Sequence, residues 1–191
     1  MLKKGWNFLR YIGLGFIIFV VALVLFRLFI LEPFVVRGAS MEPNFREGDY
    51  LWIEKVSFHF SDLKRGEVVV LNAPDNPGQV YIKRVIGLPG ERVLVKKDGV
   101  YIKKDFNTFK VEEPYVNGIV TYSKQDDVTL DSDQIFVMGD NRNVSEDSRF
   151  FGPIKIDTVV GRALFRLLPT SQKGIIPIPD VTLQMISSLV D

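Results

Sequence analysis

Serine, lysine and a cluster of carboxylates carry the chemistry available to this 191-residue chain, because the usual reactive groups are scarce. Cysteine is absent and there is a single histidine, His59, which excludes Cys-ligated metal, a two-histidine zinc site and HExxH. A Ser-His-Asp triad would need His59, in Ser57-Phe58-His59-Phe60. At strand spacing it points away from both phenylalanines, as a surface or structural histidine does. No Walker loop and no Gly-x-Gly-x-x-Gly is present to cradle a phosphate.

The carboxylates gather in Gly139–Arg149, where Asp140, Asn141, Glu146 and Asp147 have the look of an oxygen-ligand loop. A calcium loop places ligands at alternate positions after its first Asp, and here that position holds a cation, Arg142. The segment reads instead as a loop braced by ion pairs and Asx-type turns, with no metal. Ser40 stands in Gly38-Ala39-Ser40-Met41-Glu42-Pro43, where small residues leave its hydroxyl open and Pro43 restricts the chain beyond. Lys83 lies in Val80-Tyr81-Ile82-Lys83-Arg84-Val85-Ile86, and alternation puts it on one face with Tyr81 and Val85. Two readings fit. An edge-strand lysine can reach water, whereas an ammonium held among apolar neighbours loses its proton more easily. The neutral amine can then take the proton of a serine hydroxyl.

Short β-branched runs punctuated by Gly and Pro must position these groups: Phe34–Val36, Tyr50–Val56, Glu67–Leu71, Val80–Ile86, Arg92–Lys96, Val100–Lys103, Gln134–Met138 and Gly161–Leu167. Lys97-Asp98-Gly99 predicts a hairpin turn between two of them. The segment from Asp180, with Val181, Met185, Ile186, Leu189 and Val190, predicts a terminal helix, and Lys104–Asp133 an irregular loop region. The domain is therefore expected to be mainly β.

The formal net charge of +1 argues against nucleic acid as a partner, and it conceals a split. Met1–Leu31 carries Lys3, Lys4, Arg10 and Arg27 with no acidic residue, leaving −3 on the remainder. Tyr11–Phe26 is uncharged, and continued to Leu31 it gives 21 residues, or about 31 Å of helix, enough for a hydrocarbon core of about 30 Å. The cations ahead of it place the N-terminus in the cytoplasm and the large domain outside. A buried core helix would need cover on every face. A cleavable leader would use the small residues Gly38-Ala39-Ser40, which Glu32-Pro33-Phe34 separates from the apolar run. The expected organisation is 1–10 cytoplasmic, 11–31 transmembrane, 32–170 an extracytoplasmic domain and 171–191 a tail.

The motifs together resemble the bacterial type I signal peptidases, membrane-anchored Ser-Lys proteases of the S26 family. Ser40-Met41-Glu42-Pro43 follows the apolar segment, then Gly48-Asp49-Tyr50, the strand Tyr81–Gly90, and Gly139-Asp140-Asn141-Arg142 with Ser145, Asp147, Ser148 and Arg149. The resemblance spans about residues 10–168. It implies a signal-peptidase-type β-sheet protease domain behind one N-terminal transmembrane helix, with no cofactor. Ser40 would be the nucleophile, Lys83 its general base and the Ser40 backbone N–H an oxyanion donor. Ser145 would orient the Lys83 amine, while Asp140, Arg142, Asp147 and Arg149 brace the loop. Some relatives carry a serine two residues before the nucleophile. Gly38 stands there, as in the smaller Gram-positive-type branch, and only 55 residues separate Lys83 from Gly139. The implied partners are preprotein signal peptides, cleaved after small residues of the Ala-x-Ala type, and membrane lipid, with the enzyme working as a monomer. A self-cleaving repressor shares the Ser-Lys chemistry but needs a DNA-binding domain, for which the apolar N-terminus leaves no room. A membrane-anchored binding module is the non-enzyme alternative.

Overall fold

The computed structural model describes residues 2–57, 60–116, 118 and 123–186, and within the first helix it describes side chains for Arg10–Val24 only. His59 and Phe58 lie outside the described residues. The chain opens with helix α1 (Leu2–Phe29). Proline at 33 cannot continue a helix and drives Glu32 into an extended conformation, so the chain turns at Ile30 and enters strand β1 (Leu31–Val35). The helix thus stops short of the expected Leu31, which pairs with Glu54 instead. Among the described residues no helix is long and apolar enough to cross a membrane.

Strands β2 (Tyr50–Glu54), β3 (Val68–Asn72), β4 (Val80–Gly87), β5 (Arg92–Lys96), β6 (Gly99–Lys104), β7 (Asn107–Val111), β8 (Asp127–Thr129) and β9 (Gln134–Met138) follow. After the short helix α2 (Ser148–Phe151) come β10 (Ile154–Lys155), β11 (Val159–Leu168), β12 (Gly174–Ile175) and β13 (Leu183–Ile186). They form two antiparallel sheets. The larger runs β1-β2-β11-β3-β4-β9-β10, with β12 on β11; the smaller runs β13-β7-β6-β5-β8.

Central strand β3 reads Val-Val-Val-Leu because both of its faces are covered. Val68 and Val70 join Met41, Phe45, Leu51, Ile53 and Ile82 on one side. Val69 and Leu71 join Val85, Ile135, Val137 and Ile154 on the other. A third cluster fastens the sheets together: Ile86, Phe136 and Met138 of the larger meet Val93, Val95, Val100, Ile102 and Val111 of the smaller. Each such side chain stabilises the fold by roughly 1.5–3 kcal/mol through burial.

Two expectations are corrected. The segment after Asp180 is strand β13, not a helix: Leu183 pairs with Val111 and Met185 with Phe109. The open edge of β7 satisfies its backbone, and Val181 and Leu183 pack on the core that joins the sheets. Lys104–Asp133 is less irregular than its polarity suggested, since β7 and β8 lie within it. Residues 117, 119–122 and 187–191 lie outside the described residues.

Candidate active site

Lys83 enters the site from β4, opposite Val69 of β3, on the face it shares with Tyr81 and Val85. Only 3% of it is exposed. Burial holds the amine below the usual lysine range, at about 8, although Asp147 and Glu146 pull the other way. Its Nζ lies 5.1 Å from the centre of the Tyr81 ring and donates a hydrogen bond of 3.0 Å to Ser40 Oγ. Of the two readings left open by strand alternation, the buried one is what the fold produces. Burial deprives the ammonium of water, and no carboxylate stands within ion-pair distance of Nζ among the described residues.

Ser40 sits on the turn between β1 and β2. Gly38 ahead of it has φ of 76°, a left-handed conformation that glycine takes at little cost. Asn141 fixes this turn from the opposite side: its backbone N–H donates to the Ser40 carbonyl (3.0 Å) and its Nδ2 to the Ala39 carbonyl (3.2 Å). Among the described residues nothing accepts a hydrogen bond from the Ser40 N–H, which leaves it free for an oxyanion.

The loop 139–149 is a buried electrostatic scaffold. Asp147 takes Nε and Nη2 of Arg149 on its two oxygens at 2.8 and 2.9 Å, and Oδ2 also accepts from the Gly139 N–H at 3.0 Å. Asp140 and Arg142, expected to brace the loop with these two, do so through partners elsewhere. Arg84 of β4 donates Nε and Nη2 to Asp140 at 2.8 and 2.5 Å, and Asn44 Nδ2 adds a third contact of 2.9 Å. Arg142 donates Nε to the Gly139 carbonyl (3.1 Å), while both of its terminal nitrogens bind Glu113, Nη1 at 2.9 Å. Sequence reasoning missed Asn44, Arg84 and Glu113. Arg84 had one visible signal, a second cation beside Lys83 in an otherwise apolar strand; Asn44 and Glu113 had none.

Ser145 is buried beside Gly139, with a hydroxyl that has no hydrogen-bond partner. The bond expected from it to Lys83 is not formed in this structure, where the amine turns to Ser40. Gly139 is wedged between the two serines: a Cβ there would stand 2.2 Å from Ser145 Oγ and 2.4 Å from the Ser40 carbonyl oxygen. A cleft of about 620 Å³ opens in front of Ser40 and Lys83, walled by Pro33–Val35 of β1 and Val80–Ile82 of β4. Among the described residues no three His, Cys, Asp or Glu side chains group to hold a metal ion.

A buried amine on a serine hydroxyl is one chemistry on which several folds can converge, so the match along the chain decides the family. Residues 9–168 match the family described as signal peptidase, peptidase S26. The chain belongs to the S26 signal peptidases. Among relatives of this family, the probable signal peptidase I-1 of Synechocystis sp. is 38% identical over 91% of this chain and 89% of its own length. The signal peptidase IB of Staphylococcus aureus is 35% identical over 75% of this chain and 81% of its own. A crystal structure of a signal peptidase I from Enterococcus faecalis V583 is 29% identical, covers 53% of this chain and 97% of that one, and has a TM-score of 0.43. The S26 membership and these relatives make the chain a type I signal peptidase, a serine endopeptidase.

Proposed function

We propose that Ser40 is the nucleophile and Lys83 the general base of this peptidase, acting on exported preproteins after an Ala-x-Ala motif. The observation that carries the assignment is the 3.0 Å contact between Ser40 Oγ and the Nζ of a lysine that is only 3% exposed. At a pH near 8 much of the amine is neutral, and the contact reverses, the hydroxyl donating to nitrogen. As Oγ attacks the scissile carbonyl carbon, its proton passes to Nζ. The oxyanion accepts from the Ser40 N–H, and the ammonium returns the proton to the departing amide nitrogen. Water then hydrolyses the ester with Lys83 again as base. The unpaired Ser145 hydroxyl is the group available to orient the amine through this cycle.

Strand β1 ends the larger sheet, so its outer edge is free to pair with an extended substrate lying in the cleft. The membrane reading has two supports. Between Tyr11 and Val24 eleven large apolar side chains are exposed, on all faces of α1. Beside the helix exit, the outer face of the larger sheet is also apolar. Val35 and Leu168 flank Tyr50, Pro33 and Phe165 flank Trp52, and Ile175 flanks Phe165. Ile175 is 75% exposed. We read α1 and this face as the lipid-contacting part of an enzyme whose N-terminus is cytoplasmic and whose sheets lie outside, working as a monomer. Phe60, also exposed, is a further candidate for lipid contact.

The deciding experiment is cleavage of a preprotein bearing an Ala-x-Ala site by detergent-solubilised protein. Ser40→Ala and Lys83→Ala are each expected to abolish it, and full activity in either sinks the assignment.

A further inference from the structure

The Gly139 peptide meets the nucleophile on one side and Ser145 on the other, with no room for a methyl group, so its position sets theirs. It is held at both ends. Its N–H is bound by Asp147, which Arg149 secures from within the same loop. Its carbonyl is bound by Arg142, and Arg142 is secured from outside the loop, by Glu113. Glu113 follows β7 in the smaller sheet, and the adjacent Glu112 N–H donates to the Thr182 carbonyl (3.0 Å) on the approach to β13. Tyr115, two residues on, accepts at its carbonyl from Asn44 (2.7 Å) and lies with its ring 4.0 Å from the Arg84 guanidinium. Both charges of the Glu113–Arg142 pair are buried, with 8% and 1% of their side chains exposed. A buried guanidinium deprived of its carboxylate must find another acceptor or take in water, and either moves the group that holds Gly139.

We propose that Glu113 is a positioning residue for the Ser40–Lys83 reaction, acting through Arg142 on the Gly139 carbonyl. The smaller sheet thereby takes part in catalysis without touching substrate, for Glu113 lies apart from the cleft walled by β1 and β4. The inference rests on the Ser-Lys reading above. Because the peptide cleft is untouched, the loss falls on kcat.

The test uses the full-length chain in detergent with the preprotein substrate. Glu113→Gln is expected to lower kcat about tenfold or more, about 1.4 kcal/mol in barrier, while KM stays within about twofold. Glu113→Asp, which keeps the charge, recovers part of the loss. Adding Arg142→Gln to Glu113→Gln costs little more, because the pair acts as one unit. A folded Glu113→Gln with normal kcat, a rise in KM alone, or a double variant whose losses multiply overturns the proposal. Where Glu113→Gln does not fold, Arg142→Lys decides. It keeps the charge but loses the fork that reaches both Glu113 and Gly139. A lower kcat at constant KM supports the proposal, and normal kinetics overturn it. Ser40→Ala and Lys83→Ala run alongside: activity in either sinks the Ser-Lys reading, whereas inactive controls beside a normal Glu113→Gln sink only the role of Glu113.

Discussion

Lys83 and Arg84 are neighbours on β4, each 3% exposed, and the two faces of the strand treat their charges in opposite ways. On one face Arg84 meets Asp140 through two hydrogen bonds, donates to the Gly66 carbonyl and stacks on Tyr115. On the other, Lys83 meets an aromatic ring and a hydroxyl, with the nearest carboxylates acting only at a distance. Burial costs both cations their hydration. Arg84 recovers the loss by pairing and becomes scaffold. Lys83 does not recover it, and the missing compensation is what lets its amine lose the proton near pH 8. On the proposed Ser-Lys reading, catalysis and support stand one residue apart, separated by which cation receives a carboxylate.

The sharpest way to break this contrast is Lys83→Arg. A guanidinium keeps its proton at any working pH, so cleavage is expected to fall by roughly 10³-fold or more, as with Lys83→Ala. Activity within a factor of ten in a single-turnover assay would show that loss of the proton is not what Lys83 contributes.

Gly139→Ala probes the contact between the two faces. Its methyl group would enter the space of Ser145 and the Ser40 carbonyl. A displacement of about 1 Å at reacting groups costs about 10²-fold, and kcat should fall accordingly.

Stability should separate the neighbours with opposite signs. Asp140→Ala leaves Arg84 buried without its partner and is expected to cost about 3–5 kcal/mol in denaturant unfolding. Lys83→Met removes an ammonium whose amine sits at about 8 instead of 10.5, and is expected to stabilise the inactive protein by up to roughly 3 kcal/mol at neutral pH. Equal losses in the two variants would erase the distinction.

In the wild type, the unfolded chain keeps the Lys83 proton up to a higher pH than the folded one. Stability from this group therefore rises as pH increases through the interval from about 8 to 10.5. The rate should rise along the same acid limb, with its midpoint in kcat/KM near 8. A midpoint at the ordinary lysine value would contradict the burial argument. The smallest effect expected is from EDTA, which should leave the rate unchanged.

Much of this was legible in the chain. The lack of cysteine and the single histidine direct attention to serine and lysine, and period-two alternation places Lys83 with Tyr81 and Val85. Gly38, Gly139 and the runs of Val and Ile carry local information, and most strands begin within a few residues of where those runs do. Alternation names the face of a residue but not what covers it. That is why the depth of Lys83 stayed open, and why β13 passed for a helix until the free edge of β7 supplied its partner.

The sequence by itself determined the reactive set, the split between a cationic apolar N-terminus and an acidic domain, and the mainly β class, because composition and short-range periodicity are local properties. Only the tertiary structure decided how the charges pair. Asp140 with Arg84 spans 56 positions and Arg142 with Glu113 spans 29, and residues so far apart meet only through sheet register. The same holds for the lowered proton affinity of Lys83. It arises from what surrounds the amine in space, and β3, β4 and the Ser40 turn supply those surroundings only once they are packed.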